Sequence, residues 1–145
     1  MARVKLHIPT KLLFTTTLTV RITDINYGNH LGNNAVVGLL HEARMQWLNS
    51  LGYTELSVAG NALIMGDLAV EFKQQAYYAD VINVQIFVGD CTAKTFELYY
   101  TLTANTNIGT ALIAQAKTGM VCYDYVAKRV MSIPQKLNSI LNTII

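Results

Sequence analysis

Residues 20–52 read VRITDINYGNHLGNNAVVGLLHEARMQWLNSLG, and this stretch decides the fold. An alternating run ends at Ile22. A polar loop with Asp24, Asn26, Tyr27, Gly28, Asn29 and His30 follows, and a long apolar helix begins near Asn34. Val36, Leu39, Leu40, Ala43 and Trp47 fall on one helical stripe, widened by Val37, Leu48 and Leu51, with Gly52 placed as a C′ glycine. A helix apolar over so much of its circumference must be enclosed. Asn33 or Asn34 is expected to cap it, and Gly28 and Gly32 to supply positive φ in the loop. A helix N-terminus presents unpaired N–H groups and the positive end of a dipole, so it can polarise a carbonyl or hold an anion.

On the N-terminal side, residues 13–22 alternate. Phe14, Thr16, Leu18, Val20 and Ile22 face one way, and Thr15, Thr17, Thr19 and Arg21 the other, as in a half-buried strand. Beyond Gly52 a connector with turn residues Thr54 and Ser57 ends at Gly60-Asn61, after which the chain is all strand. Leu68, Val70 and Phe72 share one face against Glu71 and Lys73. After the loop AYYAD (76–80), Ile82, Val84, Ile86 and Val88 form the next apolar face, and Phe96, Leu98, Tyr100 and Leu102 the one after. Asn105, Asn107 and Gly109 signal a hairpin into the long, small-residue-rich strand TALIAQAKTGMVCYDY (110–125). A closing helix carries Leu137, Ile140, Leu141 and Ile144 on one stripe, with Pro134 suited to its first turn. The expected architecture is a single α+β domain over residues 1–145, with one long central helix wrapped by a curved antiparallel sheet.

Composition narrows the function. Of the 145 residues 52% are hydrophobic and only 14% charged, which favours burial of surface against another copy of the chain. A net charge of +2 with scattered Lys and Arg argues against nucleic acid or a membrane surface as partner. The opening MARVKLHIPTK has no apolar run of signal-peptide type, and His41, Glu42, Arg44 and Gln46 interrupt the helix, so no membrane span is expected. Cys91 and Cys122 have no metal-ligand spacing and fit small core residues in a reduced, cytoplasmic protein. Neither a ligand cluster nor a Gly-rich phosphate loop occurs, so neither metal nor cofactor is expected.

The order of elements, and above all DINYGNHLGNNAVVGLLHEARMQWL (24–48), resembles the hotdog-fold thioesterases of the 4-hydroxybenzoyl-CoA thioesterase type. Their motif runs roughly D-x-D-x-x-G-H-V-N-N before a helix ending E-A-R. YDYVAKRVMSIP (123–134) is similar to the family's C-terminal strand and exit. Laid on this chain, the motif puts its first acid on Asp24, its His on His30, one Asn on Asn33, and Glu-Ala-Arg on Glu42, Ala43 and Arg44. The second acid, commonly the family's nucleophile or general base, falls on Asn26. The resemblance implies a hotdog fold, hydrolysis of an acyl-CoA or acyl-carrier thioester, and a pocket at a subunit interface. Apolar strand faces with Tyr27, Tyr77 and Tyr78 suggest that the pocket takes a hydrophobic acyl group, and Lys73, Lys94, Lys128 and Arg129 are the basic side chains available to CoA phosphates, with solvated surface positions as their plain alternative. An edge strand and the site both need cover, so a homodimer or homotetramer is expected.

Hydrolysis needs a polarised carbonyl and a group that attacks it or activates water. Backbone N–H groups near Gly32, Asn33 and Asn34 can form an oxyanion hole. Asn26 cannot accept a proton usefully near neutral pH, which leaves Asp24, His30 and Glu42 as candidate bases. Each has a plain structural alternative: Asp24 holding a loop N–H, His30 as a hydrogen-bonding residue, Glu42 pairing with Arg44 or a partner chain, or solvated. Three functional classes follow. One is a thioesterase in which Asn26 orients water or substrate. The second is a non-hydrolytic acyl-thioester binder that has lost its catalytic acid, and the third a purely structural oligomer.

Overall fold

The computed structural model describes residues 2–143. Strand β1 (Leu12–Thr19) leads through a 3-10 turn at Ile22–Asp24 to helix α1 (Asn33–Ser50). Strands β2 (Ala62–Phe72), β3 (Val81–Cys91), β4 (Thr95–Thr106) and β5 (Gly109–Asp124) follow, then a two-residue strand β6 (Arg129–Val130) and helix α2 (Gln135–Leu141). The main strands form one antiparallel sheet in the order β1-β3-β4-β5-β2, with β6 on β5. Register shifts in four of the pairings bend the strands locally, and α1 lies across the inner face of this curved sheet. This is the hotdog architecture.

Period-two alternation supplies the sheet's half of the core: Ile82, Val84, Ile86 and Val88 from β3, and Phe96, Leu98, Tyr100 and Leu102 from β4, are all buried. From α1, Val36, Leu39, Leu40, Ala43, Trp47 and Leu48 pack onto them. Gly52 ends the helix at φ +81°, the left-handed conformation that suits a C′ glycine. Leu137 and Leu141 of α2 join the same core. Ile144, expected on their stripe, lies outside the described residues.

Several expectations are corrected. The first strand stops at Thr19, and Ile22, in the 3-10 turn, is 67% exposed. Gly32 takes the N-cap position without a side-chain cap bond, so Asn33 and Asn34 are the first helical residues and not caps. The loop's positive φ is at Asn29 (66°), where an Asn is tolerated, while Gly28 and Gly32 keep ordinary backbone. Pro134 sits one place before α2, at its N-cap. Nor is α1 enclosed all round, since Gly38, His41 and Glu42 are exposed. In β2, Leu68 and Phe72 are exposed with Met65, because β2 is an edge strand with no neighbour on its outer side. The strand β6 was not anticipated.

Candidate active site

The junction between β1 and α1 is held by backbone hydrogen bonds and by the side chains of Asn26 and Asp24. Asn26 Oδ1 accepts the Gly28 N–H at 2.9 Å and, more weakly, the His30 N–H at 3.4 Å. The Asn26 N–H donates to the His30 carbonyl at 3.0 Å. An amide side chain folded back on the N–H two residues ahead is an Asx turn, the local reason an Asn suits this position. Leu31 then donates to the carbonyl of buried Ala76 at 2.8 Å, tying the helix entry to the β2–β3 loop, and Gly32 donates to the Asp24 carbonyl at 3.0 Å.

That last bond removes Gly32 from the set of free N–H groups. Asn33, Asn34 and Ala35 then head α1 with no hydrogen-bond partner for their N–H groups among the described residues. The helix tip is open. A cleft of ≈ 210 Å³ reaches it, walled by His30, Asn33, Val36, Phe72, Gln74 and Ile113, with Lys73 and Gln75 at its side. One wall is apolar (Val36, Phe72, Ile113) and the other polar, the composition expected of a small-ligand site.

His30 is half-buried, and its ring folds over Gly28. Its Nε2 and the Asn26 Oδ1 lie 3.2 and 3.3 Å from the point where a Cβ on Gly28 would stand, so the glycine lets imidazole and amide approach one spot. His30 Nδ1 is 3.4 Å from the Leu31 carbonyl. Assigning the ring proton to Nδ1, where this acceptor lies, leaves the lone pair on Nε2, the nitrogen beside Gly28.

The other expected residues separate from this group. Asp24 is buried at 8% exposure, and its Oδ2 accepts the Arg21 N–H at 2.8 Å while the Arg21 guanidinium sits 3.5 Å away. It organises the 3-10 turn and faces a different cleft of ≈ 570 Å³ that also contains Gly38, His41, Glu42 and Gln46. Glu42 accepts from Gln46 Nε2 at 3.0 Å and stands nine residues along α1, about 13 Å from the tip. Within one chain it cannot reach a carbonyl held there. Tyr27 is fully exposed, and Tyr77 and Tyr78 are more than half exposed and outside the cleft at the tip. Gly32 is buried against Asn34 and Asn26. The cleft thus collects His30, Asn33 and Lys73 of the expected residues and adds Gln74 and Gln75 from the segment after β2, which the Leu31–Ala76 bond and the bonds of the Lys73 and Gln74 N–H groups to the Ile113 carbonyl hold alongside.

Arg44 does not pair with Glu42. It is 5% exposed, donates from Nε to Glu55 Oε2 at 3.1 Å, and donates to the Tyr100 hydroxyl at 3.2 Å. Tyr100 is bonded in turn to Thr118 Oγ1 at 2.8 Å, and His41 Nε2 lies 2.5 Å from Glu55 Oε1. Burial works against the Arg44 charge, but the Tyr100 oxygen and the Glu55 carboxylate outweigh it and raise the guanidinium pKa; burial likewise pushes the Tyr100 phenol up. This network braces α1 against β4 and β5. Arg44 lies four residues from both Leu40 and Leu48 on the buried stripe, a spacing that marks it as interior and in need of a partner.

Comparison with known proteins agrees with the fold. A family model described as the thioesterase-like superfamily matches residues 20–141. Among solved structures, a 1,4-dihydroxy-2-naphthoyl-CoA thioesterase from Synechocystis is 23% identical, with a TM-score of 0.78 over 88% of this chain and 94% of that one. A mutant of 4-hydroxybenzoyl CoA thioesterase, Asp changed to Asn, complexed with 4-hydroxybenzoyl CoA, is 16% identical with a TM-score of 0.79 over 89% and 98%. A Staphylococcus aureus protein in complex with CoA is 19% identical with a TM-score of 0.77 over 95% and 85%. No curated protein matches the chain by sequence. No helix is long and apolar enough to cross a membrane, and no group of potential metal ligands occurs, among the described residues.

Proposed function

From the premise that the chain belongs to the thioesterase-like superfamily, we propose that it hydrolyses an acyl-CoA thioester to a free acid and CoA at the tip of α1. One observation carries the reading: the head of α1, where the N–H groups of Asn33, Asn34 and Ala35 have no partner among the described residues, meets at Asn33 a cleft that His30 also lines.

In this mechanism the thioester carbonyl oxygen lies against the helix N–H groups, whose donors and dipole stabilise negative charge as it develops. His30 Nε2 takes a proton from water while the water oxygen attacks the carbonyl carbon, and Asn26 orients that water by hydrogen bonding. As the tetrahedral adduct collapses, the C–S bond breaks and the imidazolium returns the proton to the leaving sulfur. Val36, Phe72 and Ile113 receive the acyl group. Asp24 acts as the loop's anchor, and Glu42 has no part in chemistry within its own chain. Gly32, Asn33, Asn34 and Tyr27 divide accordingly: the first three shape or form the oxyanion site, and Tyr27 is left to the surface. Thiol release from purified protein with short, long and aromatic acyl-CoAs tests the proposal, and absence of turnover with all of them would overturn it.

A second reading, a non-hydrolytic acyl-thioester binder, draws on the same loop. Asn26 Oδ1 already accepts two backbone N–H groups, so its amide serves structure before chemistry, and the Asp-to-Asn mutant noted above is complexed with 4-hydroxybenzoyl CoA.

The protein is taken to act as a homodimer or homotetramer, because edge strand β2 leaves its outer side unpaired and exposes Met65, Leu68 and Phe72. A monomeric mass in light scattering would refute this. Free thiols at Cys91 and Cys122 fit a reducing compartment, the cytoplasm.

A further inference from the structure

The segment ahead of β1, residues 2–10, has neither helix nor strand, yet it is pinned to the sheet. The Leu6 N–H donates to Glu71 Oε1 at 2.5 Å, and the Leu6 carbonyl accepts from Gln115 Nε2 at 3.2 Å. Glu71 and Gln115 are cross-strand partners on β2 and β5, and are bonded to each other at 3.0 Å. Leu6 therefore acts as a button on the sheet, leaving a groove of ≈ 290 Å³ beneath the strap.

The groove is basic for a reason visible in the spacing. Alternate residues of an extended segment share a side, and Arg3, Lys5 and His7 alternate; all three are exposed and line the groove with Lys73. None of Arg3, Lys5 and His7 has an ion-pair partner among the described residues. The one carboxylate there, Glu71, is occupied by Leu6, Gln115 and Lys73. Lys73 also stands in the wall of the cleft at the tip of α1, so groove and cleft share a boundary. In a chain whose net charge is only +2, three permanent cations and a histidine around one anchored carboxylate are a local concentration of positive charge.

We propose that this groove binds the phosphate groups of CoA, the strap supplying Arg3, Lys5 and His7, with the pantetheine arm passing Lys73 into the cleft. The inference rests on the acyl-CoA reading above. Arg3 offers a planar fork for phosphate oxygens and Lys5 a mobile point charge, and an exposed site of this kind is weakened by salt.

The test is the double variant Arg3→Glu/Lys5→Glu in the full chain, which leaves the Leu6, Glu71 and Gln115 anchor bonds in place. KM is measured for one acyl group carried on CoA and on pantetheine, which lacks the nucleotide phosphates. The KM for acyl-CoA is expected to rise about tenfold or more, with that for acyl-pantetheine moving less than twofold. Equal effects on the two substrates, or none, overturn the groove while leaving the hydrolase reading intact. Dependence on Arg3 and Lys5 only with an acyl-carrier protein as substrate overturns it in favour of a protein partner. Should no thioester be turned over, calorimetry with CoA and pantetheine decides separately. CoA binding weakened about tenfold in the variant, with pantetheine binding unchanged, supports the groove though the hydrolytic reading falls. Equal CoA binding by the two proteins, or none by the wild type, removes the groove.

Discussion

Replacing His30 by Gln separates the proposed chemistry from the architecture. The loop's bonds run from Asn26 to Gly28 and His30 backbone, from Asn29 to Asn26, and from Leu31 to Ala76. The His30 side chain adds only the 3.4 Å approach to the Leu31 carbonyl. At that length the bond is weak, so its loss should lower stability by less than about 1 kcal/mol, and the thermal midpoint by less than about 4 °C. Activity should respond very differently. A positioned general base contributes about 10²–10⁴ in rate, or about 2.7–5.4 kcal/mol of barrier, and Gln keeps a polar side chain but cannot take the proton. The assay is thiol release against pH in wild type and variant, alongside circular dichroism melts. Protein thiols should not interfere: burial pushes Cys122 up to about 11 and raises half-buried Cys91 as well. The variant should lose that rate while keeping its fold. A variant within threefold of wild type would refute His30 as the base.

Asn26→Asp preserves the acceptor for Gly28 and His30, so the loop should stand. If His30 moves the proton, kcat should change by less than about tenfold, whereas a gain of about 10² or more would identify the native protein as a binder. Arg44→Met removes the partner of Glu55 and of the Tyr100 hydroxyl. Breaking a fully buried pair costs about 3–5 kcal/mol, but Glu55 is 21% exposed and retains His41, so about 2 kcal/mol is expected in urea unfolding; a loss under about 0.5 kcal/mol would show the network to be incidental. The Leu6, Gln115 and Lys73 bonds hold the Glu71 carboxyl down at about 2. Because its pKa is depressed on folding, its contribution to stability is present above the ordinary value of 4.5 and lost as pH falls toward 2. The protection factor of the Leu6 amide should therefore fall across that window, and Glu71→Gln should remove this pH dependence. Unchanged Leu6 protection down to pH 2 would contradict the anchor.

Much of the fold was legible because periodicity is local. The helical stripe from Val36 to Leu48 and the alternation of Ile82 to Val88 and Phe96 to Leu102 each require one buried face whatever lies opposite. The same reasoning misjudged β2, because Leu68 and Phe72 alternate as regularly on an edge strand as on a central one; whether a neighbour covers them depends on strand order. The loop motif named His30 and Asn33, which share one cleft within the chain, together with Asp24 and Glu42, which line another. Spacing along the chain does not reveal that Asp24 turns back onto Arg21, or that nine helical residues carry Glu42 into another cleft.

The sequence by itself determined the order of elements, the buried helix and the amide-bearing tip at its start, since these follow from short-range sterics and from which side chains avoid water. Only the tertiary structure decided which groups share a cavity. Lys73 and Gln74 share a cleft with His30, and Glu55 and Tyr100 hydrogen-bond to Arg44, because the sheet's pairing order brings distant segments together, and that order is set by the packing of the whole chain.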